Sequence, residues 1–288
     1  MPYAIRKKDA HVPAAIRRVA ADEFTAALSV LSKTEGPLAD RVHQARKAVK
    51  HLRGLIRLVR PVFPAYAATN AALRDAGREI AALRDAQVAL WTFDALAKGL
   101  AAEKTAALRA TFDARLQAAL APELLAQQLD AFASRITALQ SEVPDWQIKR
   151  QGFDALEQGL THCLKAARAD ELAARTEPGA DIVHDWRKRV KDHWHQARFL
   201  APIWPDMMHQ QVAAAGTLGD LLGEYQDISM LRDRLPNGRA AAAILKAGKA
   251  RQNELLAKAH PLSRRLFADE PQALADRWRV WWQVWRST

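Results

Sequence analysis

The sequence predicts an all-α protein built as two antiparallel helical bundles. Three observations carry this. Apolar residues recur at helical spacing along nearly the whole chain, without a convincing period-2 strand. Pro and Gly fall where helices of about 15–25 residues would end. A basic segment of the first half recurs in the second at an offset of 141 residues.

The elements follow in order. Ile16, Val19, Ala20, Phe24, Ala27, Leu28 and Leu31 form the apolar stripe of a first helix, which Gly36-Pro37 ends. Val42, Val49, Leu52, Ile56 and Val59 mark a second, closed by Pro61 and Pro64. Ile80, Leu83, Val88 and Leu90 continue the pattern less strictly. Further helix ends are expected at Pro122, Pro144, Pro178-Gly179, Pro202, Pro205, Pro236-Asn237-Gly238, Pro261 and Pro271. Near the C-terminus, Trp278, Trp281, Trp282 and Trp285 make one aromatic helix face. It either seals the second bundle or, with Arg277, Arg279 and Arg286, anchors the chain to a partner, a granule or a membrane surface.

The repeat aligns His43-Gln-Ala-Arg-Lys-Ala-Val-Lys50 with His184-Asp-Trp-Arg-Lys-Arg-Val-Lys191. Without gaps, Arg57 then meets Arg198, Pro61 meets Pro202 and Pro64 meets Pro205. Leu83-Arg-Asp-Ala-Gln-Val88 resembles Tyr225-Gln-Asp-Ile-Ser-Met230 more weakly, at an offset of 142. A period this long exceeds the roughly 20–50 residues of solenoid repeats and is the size of a domain. Two halves are therefore expected, 1–143 and 144–288, meeting near Val143-Pro144-Asp145-Trp146 and related by a pseudo-twofold.

Composition narrows the function. Of 288 residues, 49% are hydrophobic, enough for a sizeable core. One cysteine, Cys163, excludes an intramolecular disulfide and a cysteine-based zinc cage. No stretch without charge is long enough for a membrane span of about 18 apolar residues. A cytoplasmic location is expected.

The net charge of +11 is concentrated. Residues 41–60 hold seven Lys/Arg and no acid; residues 182–201 hold five against Asp185 and Asp192. On a helical wheel of about 100° per residue, His43, Arg46, Lys47, Lys50 and Arg57 share one face, opposite Val49, Leu52, Ile56 and Val59. His184, Arg187, Lys188, Lys191 and Arg198 repeat those angles, with His195 alongside. Stacked like charges repel along a helix face, so each stripe wants a counter-anion. Each runs roughly 21 Å at 1.5 Å per residue. Brought together by a twofold, the two would line a groove for an extended polyanion.

These residues carry a resemblance. The duplicated His-x-x-Arg-Lys-x-Val-Lys, followed by Arg and Pro and a downstream Asp element, resembles the CHAD family, the conserved histidine α-helical domain. His11-Val-Pro-Ala-Ala-Ile-Arg-Arg18 belongs to the same likeness. The resemblance implies two pseudo-symmetric four-helix bundles around a basic central cavity. It implies binding of inorganic polyphosphate, without catalysis, cofactor or metal, and an association with polyphosphate granules. By position, the binding residues it implies are the two sets of five named above. Arg78, Arg84, Lys165, Arg168 and His195 are secondary candidates. Asp185 and Asp192 depart from the pattern and are expected to dilute the second stripe, as are Trp186, Trp194 and His195 where basic or aliphatic residues are usual. Binding is expected to weaken with salt and as pH rises above about 7, where histidines lose charge.

Other chemistries were weighed against this one. His184-Asp185 invites a metal phosphohydrolase reading with His193 and Asp227, but the first copy has Gln44 in place of Asp185. Asp85 and Asp227 are candidates for catalytic carboxylates, or else for helix caps or buried partners of arginine. RNA is the rival ligand, because a basic groove binds phosphates whatever links them and Trp186 and Trp194 interleave the second stripe.

Overall fold

Helix α1 (Val12–Ser32) begins where His11 caps it: the Ala14 amide donates to His11 Nδ1 at 3.0 Å. The apolar stripe read from the sequence is its buried face, including Ile16, Val19, Ala20, Phe24 and Ala27. Helix α2 (Leu38–Leu58) packs antiparallel along it, and a 3-10 turn at Arg60–Val62 closes α2. Then follow α3 (Tyr66–Glu79), α4 (Ala81–Ala97), α5 (Ala102–Ala119) and α6 (Pro122–Ser141). In the second half come α7 (Asp154–Thr176), α8 (Ala180–Leu200), α9 (Pro205–Arg232), α10 (Arg239–Leu266) and α11 (Pro271–Ser287). This computed structural model describes residues 3–33 and 35–288, and those residues contain no strand. The chain is all-α.

Most breakers act as the sequence implies. Pro122, Pro205 and Pro271 occupy first helical positions, where a missing N–H costs nothing. Two features differ. Pro261 was expected to end a helix, yet α10 runs through it. Pro261 lies at an exposed position, and Ala257, whose carbonyl it deprives of a helical N–H, is exposed to solvent as well. The second lies at Ile80, where the looser stripe of Ile80, Leu83, Val88 and Leu90 begins: the chain breaks there between α3 and α4 without a proline to signal it. The Arg46 guanidinium donates to the freed carbonyls of Gly77 and Ile80, both at 3.4 Å.

Two hydrophobic clusters each draw on both halves of the chain. Helices α2 and α8 cross in direct contact, α4 packs on α9 and α10, and α5 reaches α10. At the crossing, a Cβ on Gly54 would stand 2.5 Å from His195 Cγ, so only glycine admits this approach. Likewise, a Cβ on Gly159 of α7 would overlap the Leu58 carbonyl of α2. Helix α11 lies against α7 with its tryptophans inward. Trp278 is fully buried against His193, with ring centroids 5.7 Å apart, and Trp281, Trp282 and Trp285 pack on the core. That aromatic face is thus not a free anchor. The large apolar side chains left exposed on this helix are Val280 and Val284.

Candidate functional site: a cationic cleft between two crossing helices

Helix α2 presents His43, Arg46, Lys47 and Lys50 on one side because its opposite face, with Val42, Val49, Leu52 and Ile56, is taken up by the core. Helix α8 does the same with His184, Arg187, Lys188 and Lys191, opposite Val183, Trp186 and Val190. The crossing brings these two faces together at Lys50, Arg187 and Lys191. Lys50 stands in the field of Arg187 and Lys191 from α8, Arg46 from its own helix and Arg84 from α4. It is open to water yet hemmed in by protein, as a group deep in a concave surface is. Burial first, and then those four cations, push its ammonium down to about 8.

Small residues make room for the long side chains. On α9, Gly219 lies beneath Lys191 and Gly223 beneath Arg187: added Cβ atoms would sit 2.7 Å from Lys191 Cε and 3.4 Å from Arg187 Nε. That Arg187 Nε is buried and unpartnered, as is His184 Nδ1. Burial, then repulsion from Arg84, Lys50, Lys47 and Arg46, holds His43 below its ordinary 6.5. Burial, then Lys188 and Arg187, does the same for His184. Both imidazoles are therefore harder to protonate than a free histidine, and the expected pH window for histidine charge moves to the acid side of 6.5. Desolvation, which adjacency in sequence does not reveal, is the largest cause.

Carboxylates temper the cleft. Asp85 meets Arg46 at 3.4 Å, and Lys191 meets Asp220 at 3.1 Å. Lys188 pairs with Asp185 at 2.7 Å. Asp227 faces Arg187, Arg84 and Lys50, and burial lifts its carboxyl above the usual range. Asp85 thus pairs with arginine rather than capping a helix, and Asp227 lies in the field of Arg187 and Arg84. Seven Lys/Arg side chains face four Asp here, so a cationic excess remains.

Not every sequence candidate reaches the cleft. Arg57 pairs instead with Asp192 at 2.7 Å, a carboxylate only 5% exposed that Arg189 also approaches at 3.5 Å. Asp192 therefore weakens the stripe by capturing an arginine rather than by facing the ligand side. Arg198 points to His51 Nε2 at 3.1 Å and lies over the Tyr3 and Trp194 rings. His195 is buried in the α2–α8 contact, beside Tyr3, His51 and Trp194. Arg78 is exposed and pairs with Asp75. Lys165 and Arg168 line a separate cleft beyond the C-terminal end of α2. Arg84 does reach the central cleft, stacked over Trp91 at 4.8 Å. The sequence reading gave no role to Gly219, Gly223 and Asp220. Their spacing along one face of α9 was the available signal.

The reciprocity of these contacts is visible in the numbering. Adding 141 turns His51 into Asp192 and Arg57 into Arg198, and the pairs Arg57–Asp192 and Arg198–His51 both form. Gly54 and His195, which meet at the crossing, are likewise 141 apart, as are Lys50 and Lys191.

Metal chemistry finds no support in the arrangement. His193 is buried against Phe267 and Trp278, with Gln211 at 3.5 Å, away from His184. Among the described residues, no three His, Cys, Asp or Glu side chains are grouped to hold a metal ion, and no helix is long and apolar enough to cross a membrane.

Comparison with known proteins agrees with this geometry. The crystal structure of the CHAD domain from the plant Ricinus communis matches with a TM-score of 0.60 at 18% identity, covering 92% of this chain and 94% of that one. At that identity the likeness shows the fold. No curated protein matches in sequence. The family model for the CHAD domain matches residues 18–236, which contain both basic helices and the cleft between them. The chain belongs to the CHAD family.

Proposed function

We propose that the central cleft binds inorganic polyphosphate and that the protein acts by binding rather than by catalysis. One observation carries this: two basic helix faces, with Arg84 beside them, are turned toward one another so closely that Lys50 is pushed down to about 8. A folded chain holds such repulsion when an anionic partner offsets it. Polyphosphate presents a continuous row of anionic oxygens, which guanidinium groups take bidentately and ammonium groups meet as point charges. Sites in the cytoplasm where polyphosphate accumulates, granules included, are where the protein would be found.

The tryptophans weigh against RNA. Trp186 is fully buried, donates to Ser263 Oγ at 3.2 Å and stacks on His260. Trp194 is covered by Arg198 and Lys191. Neither offers a free face to a base. Calorimetric titration with polyphosphates of defined length, against single-stranded RNA as competitor, tests the reading. Polyphosphate displacing RNA at low concentration is expected. The reverse order would overturn it.

A further inference from the structure

A cavity of another kind lies apart from the residues of the central cleft. It lies where the C-terminal end of α2 and its 3-10 turn meet α7 and the start of α11, and it measures about 860 Å³. That falls in the range of roughly 300–1,000 Å³ typical of small-molecule sites. Arg57, Arg60, His162, Lys165 and Arg168 line it, against one acid, Glu270.

Two of these cations are anchored and two are free. Arg57 is fixed at the floor by Asp192. Arg168 is held at the rim by the Asp269 carbonyl at 3.3 Å and by Glu270 at 2.7 Å. Among the described residues Arg60 and Lys165 make no ion pair, and Arg60 rests on the Tyr66 ring. The cavity has a structural cause. Gly159 lets α7 touch the α2 backbone at Leu58, and the two helices open above that point.

This cleft is not a by-product of the duplication. The position matching Arg60 is Ala201, and Arg198, the counterpart of Arg57, is covered by Trp194 and Tyr3. The second half does not repeat the chemistry.

We propose that this cleft is a second, separate anion site that takes a short oligophosphate. Four Lys/Arg side chains face one carboxylate in a space of about 860 Å³, which is far larger than a single orthophosphate needs. Glu270, whose side chain is 74% exposed, is the group an incoming phosphoryl oxygen displaces from Arg168. The site stands independently of the central cleft.

The test is calorimetry of the full chain with tripolyphosphate. Two sites are expected in the wild type. Arg60→Ala with Lys165→Ala removes the second, and Lys50→Ala with Lys191→Ala removes the central one. Both pairs lie at solvent-accessible positions, so folding is expected to persist, checked by unchanged helical circular dichroism. Glu270→Gln should tighten the second site several-fold, which a merely structural role would not do. Unchanged stoichiometry in the Arg60/Lys165 variant, or weaker binding in Glu270→Gln, overturns this proposal. Unchanged stoichiometry in the Lys50/Lys191 variant would instead count against the central site.

Discussion

Gly54 and His195 occupy equivalent places in two copies of one basic helix, and they touch. The imidazole packs where a side chain on Gly54 would have to be, and the crossing of α2 and α8 is built on that contact. Everything on the cleft side, Lys50 against Arg187 and Lys191 above all, follows from how closely the two backbones approach here.

Gly54→Ala is therefore expected to be destabilising, although alanine favours helix over glycine. His195 is buried and cannot swing away, so the overpacking should cost about 1–3 kcal/mol. Chemical denaturation would show it as a lower midpoint at unchanged slope. A neutral or stabilising effect would mean that the helices are not this close.

Asp192→Ala should cost more, about 3–5 kcal/mol, because it leaves Arg57 and Arg189 without their buried partner. Replacing Arg57 and Asp192 together by Leu should recover most of that loss, since a buried pair is often no better than an apolar contact. Equilibrium unfolding of the two single variants and the double variant closes the cycle.

Above neutral pH, the proposed binding of polyphosphate should take its pH dependence from Lys50. Its ammonium lies at about 8 in the free protein, below the usual 10.5. A bound polyanion favours the charged form, so between pH 8 and 10.5 binding takes up a proton and affinity falls as pH rises, by up to about tenfold per pH unit. The free protein's stability moves the other way. In that window the unfolded chain binds more protons, so this group's contribution to stability rises with pH. Lys50→Arg should flatten the affinity profile. Equal affinities at pH 7.5 and pH 10 in the wild type would contradict the assignment.

Ligand should raise Tm, by relief of repulsion as well as by mass action. At free ligand one hundred times Kd, about 2.7 kcal/mol of stabilisation is expected. Removing Lys47, Lys50 and Lys191 together should shrink the shift to what the second cleft alone supplies, while leaving the unliganded Tm unchanged or higher. Arg46 is a poorer choice for this test, because it also covers the carbonyls at the α3–α4 break. Differential scanning with and without polyphosphate gives the answer.

Trp278 decides what the C-terminal helix is for. It is fully buried, and Trp278→Ala should cost about 3–5 kcal/mol. Thermal unfolding of that variant close to the wild-type Tm would show that α11 docks without supporting the core.

By itself, the amino-acid sequence determined the helices, the duplication and the two basic stripes. Spacing along a helix fixes which side chains share a face, and proline and glycine fix most of the ends. His43, Arg46, Lys50, Arg187 and Lys191 were legible for that reason. Only the tertiary structure decided which members of each stripe face one another. Arg57 and Arg198 share the wheel angle of their neighbours but lie nearer the crossing, where Asp192 and His51 claim them. His195 sits at the crossing itself and is buried. A helical wheel records angle and not depth, and depth along the axis is set by where a second helix passes over the first.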